Sequence, residues 1–306
     1  MLKYYVRHSV REEFQRVEVA PRENTWVHGE LVTKEDLHTL ADTYGLQLST
    51  LRDVLDKDEL PRVEVRGEEL YVFVRTAWRT KHGQVMTAPV LLAKKGTVFV
   101  SVSAVSTDGH KLATPHADLE AADTTSLLLG TFAAVISDYQ ELMVHTSHVI
   151  HDTGQRLRTH EVTNQDFIRF VTVEDNLNEY RLNLNGMLVV AQRLHETLER
   201  GKDAEAVEDI VLYVRQLLVA IDSHRQGITS IRNAYSTIAN NTLNQRMKTL
   251  TVLTLLVTLP NVFYGMYGMN LNLPFAEEPW AYGAVVAFTI LVVVTVYVLA
   301  KKRGIF

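Results

Sequence analysis

The chain has 306 residues and a formal net charge of −5 at pH 7, with 46% hydrophobic and 22% charged residues. The sequence pI is near 6.2, so the chain lacks the excess of basic residues that is typical of nucleic-acid-binding domains. We therefore expect no nucleic-acid partner. The sequence contains no cysteine, which excludes a disulfide framework and a thiolate zinc site. It also contains no P-loop or hydrolase motif, so we predict that the protein is neither an ATP-driven pump nor an enzyme.

Residues 1–118 predict a cytoplasmic domain of α+β type. The first residues contain no apolar signal-peptide core, so we expect this domain to stay in the cytoplasm. Six segments have the composition of strands: LKYYVRH, QRVEVA, RVEVRG, LYVFVRTAW, APVLLAKK and TVFVSVS. The segment TKEDLHTLADTYG predicts a helix that Thr33 and Asp36 cap and that Gly45 ends. A second short helix is predicted over LSTLRDVLD.

The pattern changes to long helices after this domain. Pro115 is followed by no proline until Pro260, and a proline-free stretch with few glycines is typical of long helices. We predict long cytoplasmic helices within 119–203. A stalk helix then follows over 204–270 and includes a first membrane span at about 249–269.

Two uncharged runs near the C-terminus are each long enough to cross a bilayer, which takes about 20 apolar residues. Trp280 and Tyr282 stand where an aromatic belt is expected, and Lys301, Lys302 and Arg303 satisfy the positive-inside rule. We therefore predict a multi-pass protein of the cytoplasmic membrane, surrounded by lipid, with both termini in the cytoplasm. The predicted segments are an external loop at 271–278, a second span at 279–300 and a basic tail at 301–306.

A stripe of mostly neutral polar residues follows the predicted stalk helix in steps of three and four. Its members are Ser223, Gln226, Ser230, Asn233, Thr237, Asn240, Asn244, Met247, Thr251, Thr254, Thr258, Asn261 and Gly265. Such a repeat forms the seam of a coiled coil, which is normally apolar. Small polar residues also join membrane helices, but this polar stripe continues well below the span. We predict that several copies surround a water-filled pore, with Met247 and Leu250 as an apolar constriction that gates by dewetting.

The segment YGMN at 267–270 closes the first predicted span and resembles the signature of the CorA family of magnesium channels and transporters. LRDVLDKDELPRVEV, YVFVRTAW, NQRMKTLTVLT and KKRGIF are similar to further parts of that family, so the resemblance covers essentially the whole chain. It implies a funnel-shaped homopentamer whose first spans line the pore. It also implies passive influx of Mg²⁺, with Co²⁺ and Ni²⁺ as further candidate ions.

The resemblance places the external mouth of the pore at Gly268, Met269 and Asn270, which would act as the selectivity filter. Mg²⁺ dehydrates reluctantly, so neutral carbonyl groups suit a filter that binds the hydrated ion through its water. Glu277 and Glu278 add negative charge in the predicted external loop and should concentrate divalent cations there.

The resemblance further implies that Mg²⁺ bound between neighbouring cytoplasmic domains holds the channel closed. Asp209 falls at the family's acidic position on the long helix, and the group from the other subunit maps to Glu68 or Glu69. Mg²⁺ is thus expected both as substrate and as regulatory ligand. The alternative is that Asp209 is a solvated carboxylate that the dipole of a nearby helix start favours.

Two other functions stay open at this point. One is a carrier for Zn²⁺ or another divalent cation within the same superfamily, with or without proton coupling; Met269 favours the magnesium branch. The other is a membrane-anchored scaffold that does not conduct. The polar stripe argues against the scaffold, because an anchor needs no wet face.

Overall fold

The computed structural model divides the chain into two compact units, Met1–Thr229 and Ser230–Phe306. The residues that the structure describes are 1–6, 14–107, 123–158, 164–198, 202–269 and 278–302. The first unit is built on a seven-stranded sheet in the order β2-β1-β3-β7-β6-β5-β4. Its strands are β1 Leu2–Val6, β2 Gln15–Val17, β3 Thr25–Gly29, β4 Arg62–Arg66, β5 Glu69–Arg79, β6 Val85–Lys95 and β7 Val98–Ser103. Neighbouring strands are antiparallel except β3 and β7, which are parallel.

The two longest strands, β5 and β6, read as nearly continuous apolar runs because both faces of the sheet are covered. On one face, Tyr71 and Phe73 belong to a core with Leu37, Leu40 and Leu51. On the other face the first long helix packs against β5, β6 and β7. All six strands that the sequence predicts are present.

The short helices also form as predicted. Helix α1 (Lys34–Tyr44) has a complete capping box between Thr33 and Asp36, and it ends at Gly45, which is left-handed with φ 65°. Helix α2 (Leu48–Arg52) continues into a short 3₁₀ helix, Asp53–Leu55.

Strand β3 was not predicted, because two buried polar residues interrupt its apolar pattern. His28 Nδ1 lies 3.0 Å from Ser101 Oγ, and its Nε2 lies 3.1 Å from Thr107 Oγ1. Trp26 Nε1 donates to the same Ser101 oxygen at 2.9 Å. Burial lowers the pKa of His28 to about 4, so its ring is neutral at physiological pH. Hydrogen bonds thus make this polar strand compatible with the centre of the sheet.

Three long helices follow, which confirms the long-helix prediction: α3 Thr124–Arg158, α4 Asn164–Thr197 and α5 Lys202–Tyr267. Tyr139 of α3 is buried, donates to the backbone oxygen of Arg75 at 3.1 Å and packs edge-on against Tyr180 of α4. On α4, a Cβ added at Gly186 would lie 2.9 Å from the ring of Pro61, so only glycine allows this approach. These contacts fix α3 and α4 on the sheet.

The second unit pairs the C-terminal stretch of α5 with α6 (Ala281–Lys302). Phe263 and Phe288 meet edge-on with ring centroids 5.3 Å apart. Small residues at Ala281, Thr289 and Ala300 are buried, which is typical of closely packed membrane helices.

Three helices are long and apolar enough to span a membrane by length and composition: α3, α5 and α6. In α3, 61% of the most apolar window is buried within the protein, so this window serves the core of the first unit. The corresponding windows of α5 and α6 are only 6% and 11% buried. The apolar surface of α5 and α6 is therefore free to contact another apolar environment.

Candidate functional site

The polar stripe on α5 is uncovered along its whole length. All thirteen of its residues are exposed. Between Leu250 and Tyr267, the partly covered positions are instead Val252, Leu256, Leu259, Pro260 and Phe263. Apart from Pro260, they follow the same spacing of three and four. With 3.6 residues per turn, these positions lie roughly 150° around the helix from the stripe. Because Phe263 contacts Phe288, the covered face is the one that meets α6. The polar stripe therefore points away from α6.

An uncovered apolar face lies on each side of the polar stripe. Leu253, Val257 and Tyr264 form one side, and Leu255, Val262 and Met266 form the other, all of them exposed. A single helix with this surface would place polar groups against hydrocarbon. Identical helices in a ring would instead cover each other's apolar sides and enclose the polar stripe.

The threonines of the stripe present hydrogen-bond acceptors. The hydroxyls of Thr251, Thr254 and Thr258 donate to the carbonyl oxygens four residues earlier, at 2.8, 2.9 and 2.7 Å. A hydroxyl has one proton, so only oxygen lone pairs remain for a group that approaches from the open side. Water molecules bound to a cation point their hydrogens outward and need acceptors. The stripe therefore suits a hydrated cation better than an anion.

The predicted constriction residues are also uncovered. Met247 is 59% exposed and Leu250 is 63% exposed. Met247 lies within the stripe, and Leu250 lies beside it. Asn240 and Asn244 precede them and Thr251 follows, so the apolar pair interrupts an otherwise polar face.

The predicted mouth lies at the C-terminal end of α5. The helix ends at Tyr267, and the amide of Gly268 donates to the oxygen of Tyr264 at 3.0 Å. Gly268 and Met269 are both exposed. Asn270 and Glu277 lie outside the described residues. Glu278 is exposed just before α6.

Asp209 lies in the first unit. It lines a groove of about 570 Å³ between α3 and α5, together with Asp203 and mainly apolar residues. Asp203 accepts a hydrogen bond from Ser126 at 3.4 Å. No ion pair of Asp209 occurs in the described part of the chain, and its side chain is exposed. Asp209 is therefore accessible to a group from outside the chain.

The two glutamates proposed as its partners differ from each other: Glu68 lies in the turn between β4 and β5, and Glu69 is the first residue of β5. Glu68 is exposed. Glu69 accepts hydrogen bonds from Lys95 at 2.8 Å and from Tyr71. Burial alone would raise the pKa of Glu69, but these two partners outweigh it and lower the pKa. Within the described ranges, no group of three or more acidic or histidine side chains could hold a metal ion.

Sequence reasoning missed the role of Arg62, which follows Pro61 and is the first residue of β4. Its guanidinium pairs with Asp53 at 2.6 Å, with Glu64 at 2.8 Å and with Glu59. It also lies 4.0 Å above the ring of Phe73. The three carboxylates within twelve positions of sequence were the only available signal. Arg62 thus joins the 3₁₀ helix that contains Asp53, the segment that contains Glu59, and strand β4.

Comparison with known proteins gives three kinds of match. The family model described as CorA-like Mg²⁺ transporter protein matches residues 22–302. The cobalt/magnesium transport protein CorA of Methanocaldococcus jannaschii is 22% identical over 280 residues, which cover 88% of this chain and 87% of that relative.

The solved structures extend the likeness to the fold. The complete CorA magnesium transporter of Methanocaldococcus jannaschii is 17% identical with a TM-score of 0.85, over 100% of this chain and 99% of that chain. The full-length CmaX protein is 17% identical with a TM-score of 0.73, over 97% of both chains. The ZntB cytoplasmic domain of Vibrio parahaemolyticus is 8% identical with a TM-score of 0.55, over 80% of this chain and 97% of that chain.

Proposed function

The chain belongs to the CorA-like Mg²⁺ transporter family, and we propose from this premise that it is a passive influx channel for Mg²⁺ in the cytoplasmic membrane. The family comprises ion transporters of membranes and not enzymes. The observation that carries the proposal is the polar stripe of α5, which lies between two uncovered apolar faces and opposite α6. Five copies around one axis would turn this stripe into the wall of a pore.

The proposed topology follows the two apolar helices. Residues 249–269 and 279–300 form the spans, residues 271–278 form the external loop, and the tail at 301–306 lies in the cytoplasm with the first unit. Lys301 and Lys302 end α6 and support this orientation under the positive-inside rule.

The chemistry of the stripe supports a hydrated divalent cation as substrate. Mg²⁺ keeps its water shell tightly, and the acceptor oxygens of Thr254 and Thr258 can receive hydrogen bonds from that shell. Neutral acceptors attract the ion without holding it as a carboxylate would. The ion would be selected at Gly268, Met269 and Asn270, after Glu277 and Glu278 concentrate cations outside.

The membrane potential supplies enough driving force for this passive influx. A divalent ion that enters an inside-negative compartment gains roughly 4.6 kcal/mol per 100 mV, because each charge contributes about 2.3. No coupled energy source is required.

Regulation by internal Mg²⁺ would use Asp209 of one subunit and Glu68 or Glu69 of its neighbour. Two carboxylates from different subunits repel each other, and a hydrated Mg²⁺ between them removes the repulsion. The closed ring is then favoured at high internal Mg²⁺, which is a population shift by differential binding. The exposure of Asp209 and Glu68 supports this arrangement, whereas Glu69 is already held by Lys95.

The test is ion flux into proteoliposomes that contain the purified full-length protein. We expect uptake of Mg²⁺ that follows the membrane potential and is independent of a pH gradient. Co²⁺, Ni²⁺ and Zn²⁺ are compared in the same assay. Uptake that follows only the proton gradient would contradict the channel and support a proton-coupled carrier. If none of these ions is taken up, the result would support the non-conducting scaffold.

A further inference from the structure

The apolar pair that interrupts the polar stripe contains one side chain that an oxidant can modify. Met247 carries a thioether, whereas the side chain of Leu250 is a hydrocarbon without a reactive group. Oxidation of a methionine thioether to the sulfoxide converts a flexible apolar side chain into a polar one. The apolar character of this pair therefore depends on the oxidation state of one sulfur atom.

The side chain of Met247 is accessible on the face that the proposed channel leaves open to water. It is 59% exposed and lies on the polar stripe, three residues after Asn244 and four residues before Thr251. In a ring of α5 helices, neighbouring copies cover the apolar sides and not the stripe, so Met247 stays at the pore axis. The amides of Asn240 and Asn244 keep the approach to it polar. A small neutral oxidant such as hydrogen peroxide can follow this water-filled path.

The methionines at other positions have different surroundings. Met143 and Met187 are buried in the first unit at 4% and 0% exposure, which protects their sulfur atoms from solvent. Met86 is 48% exposed on strand β6 of the first unit, outside the stripe. Met266 lies on an apolar side of α5 that a neighbouring copy would cover, and Met269 belongs to the proposed filter. None of these five lies in the constriction.

The modification is a two-electron oxidation of sulfur by a peroxide. The thioether sulfur attacks one oxygen of hydrogen peroxide, an S–O bond forms and the O–O bond breaks. The proton of the attacked oxygen passes to the leaving oxygen, which departs as water. Sulfur is oxidised and the peroxide is reduced, so no further co-reactant is needed. The sequence contains no cysteine, so no thiol of the protein competes for the peroxide. Methionine sulfoxide is reduced back to the thioether by sulfoxide reductases.

A sulfoxide at this position changes the constriction in a defined direction. Its oxygen accepts hydrogen bonds from pore water, and the side-chain amide of Asn244 can donate to it from one turn earlier on the same face. A ring of apolar side chains closes a pore by excluding water, and a ring that contains sulfoxides wets more easily. Oxidation should therefore act in the same direction as Met247→Ser and favour the conducting state.

We propose that Met247 is an oxidation site through which peroxides hold the channel open. This inference rests on the proposed function, since it requires a pore that closes at the apolar pair. Oxidised protein would admit Mg²⁺ at internal Mg²⁺ concentrations that close the unmodified protein.

The experiment measures Mg²⁺ uptake into proteoliposomes before and after treatment with hydrogen peroxide, at an internal Mg²⁺ concentration that closes the unaltered protein. Peptide mass spectrometry measures the fraction of each methionine that has gained one oxygen atom. Peroxide should raise the flux of the unaltered protein a few-fold, in proportion to the oxidation of Met247. Met247→Leu keeps an apolar side chain and removes the sulfur, so peroxide should leave the flux of this variant at its own untreated value.

Met86→Leu is the matched control, because it removes another exposed sulfur and leaves the constriction intact. This variant should respond to peroxide as the unaltered protein does. Assembly of both variants is checked by gel filtration in detergent before and after oxidation.

The inference is overturned by any of three results. Peroxide could raise the flux of Met247→Leu as much as that of the unaltered protein, it could oxidise Met86 but not Met247, or it could oxidise Met247 without a change in flux. Uptake at low internal Mg²⁺ without peroxide tests the channel separately. A protein that conducts there but does not respond to peroxide retains the proposed function and loses only this inference, whereas a protein that never conducts contradicts both.

Discussion

Two stretches of helix α5 have side chains that recur at intervals of three and four residues. The polarity of these side chains differs between the two stretches. In the first unit, the regularly spaced side chains are apolar and buried: Val207, Ile210, Val214, Leu217, Ile221 and Ile228. From Ser230 onward, the regularly spaced residues are exposed and, apart from Met247 and Gly265, polar. In the stretch that pairs with α6, they face away from it. The period alone identifies a face of the helix. The residue types at that period indicate whether the face meets a protein core or water.

The two stretches also differ in what their exposed residues are expected to bind. The first stretch presents Asp209, a charged group suited to a resident regulatory ion. The second presents neutral oxygens, which suit an ion that must leave again. A site that binds its ion tightly suits regulation, and a site that binds it weakly suits conduction. Substitutions in the two stretches should therefore have different consequences.

The largest effect is expected at the mouth, just beyond the polar stretch. Asn270→Ala should reduce Mg²⁺ uptake into proteoliposomes to the level of protein-free vesicles, because the side-chain carbonyl of the filter is lost. Assembly is checked by gel filtration in detergent. Asn272→Ala makes the same change two residues further along the chain and should conduct normally. Near-normal Mg²⁺ uptake by the assembled Asn270→Ala variant would show that the filter does not lie in this segment.

The second-largest effect is expected at Asp209, in the first of the two stretches of α5. Asp209→Ala should raise the internal Mg²⁺ concentration needed for closure by about tenfold, as expected when one ligand of a coupled site is lost. The same variant should lose the protection of the first unit against protease by Mg²⁺. Glu208→Ala removes a neighbouring exposed carboxylate and serves as the control. If Mg²⁺ closes and protects Asp209→Ala as before, the sensor does not use this residue.

A smaller effect is expected when acceptors are removed from the polar stretch. Thr254→Val/Thr258→Val keeps the side-chain shape but deletes two oxygens that face the proposed pore. At the low end of the usual contribution of a hydrogen bond, about 0.5 kcal/mol per position, the two deletions predict a loss of Mg²⁺ flux of roughly fivefold. Thr295→Val on α6 deletes a threonine with the same hydrogen bond to the preceding turn and should leave flux unchanged. Equal Mg²⁺ flux in the unaltered protein and in both variants would contradict a pore wall formed by these polar residues.

The smallest effect is expected at the apolar pair that interrupts the stripe. Met247→Ser and Leu250→Ser should each raise basal Mg²⁺ flux a few-fold, because a polar ring wets more easily. The measurement is uptake at an internal Mg²⁺ concentration that closes the unaltered protein. Unchanged basal flux in both variants would place the closed gate elsewhere on the helix.

Much of the fold could be predicted from sequence because local signals were strong. The Thr33–Asp36 capping box, Gly45 and the proline-free stretch before Pro260 each have one direct structural consequence. Strand β3 could not be predicted, because His28 is compatible with the sheet only through Ser101 and Thr107, which are distant in sequence.

The candidate site was predictable to a different degree along α5. The stripe could be identified because a period of 3.5 requires only the sequence. That α6 covers the opposite face could not, since it depends on the packing of Phe263 against Phe288. The engagement of Glu69 by Lys95 was equally hidden, because the two residues meet only when β5 pairs with β6.

The central claim is that the polar stripe of α5 faces water within the membrane, and thiol accessibility tests it most directly. The natural sequence has no cysteine, so single cysteines from Leu253 to Asn261 can be introduced one at a time. In proteoliposomes, a charged methanethiosulfonate reagent should modify cysteines at Thr254, Thr258 and Asn261 quickly and those between them slowly. Uniformly slow modification, or fast modification at Leu256 and Leu259 instead, would contradict a water-filled path along this face.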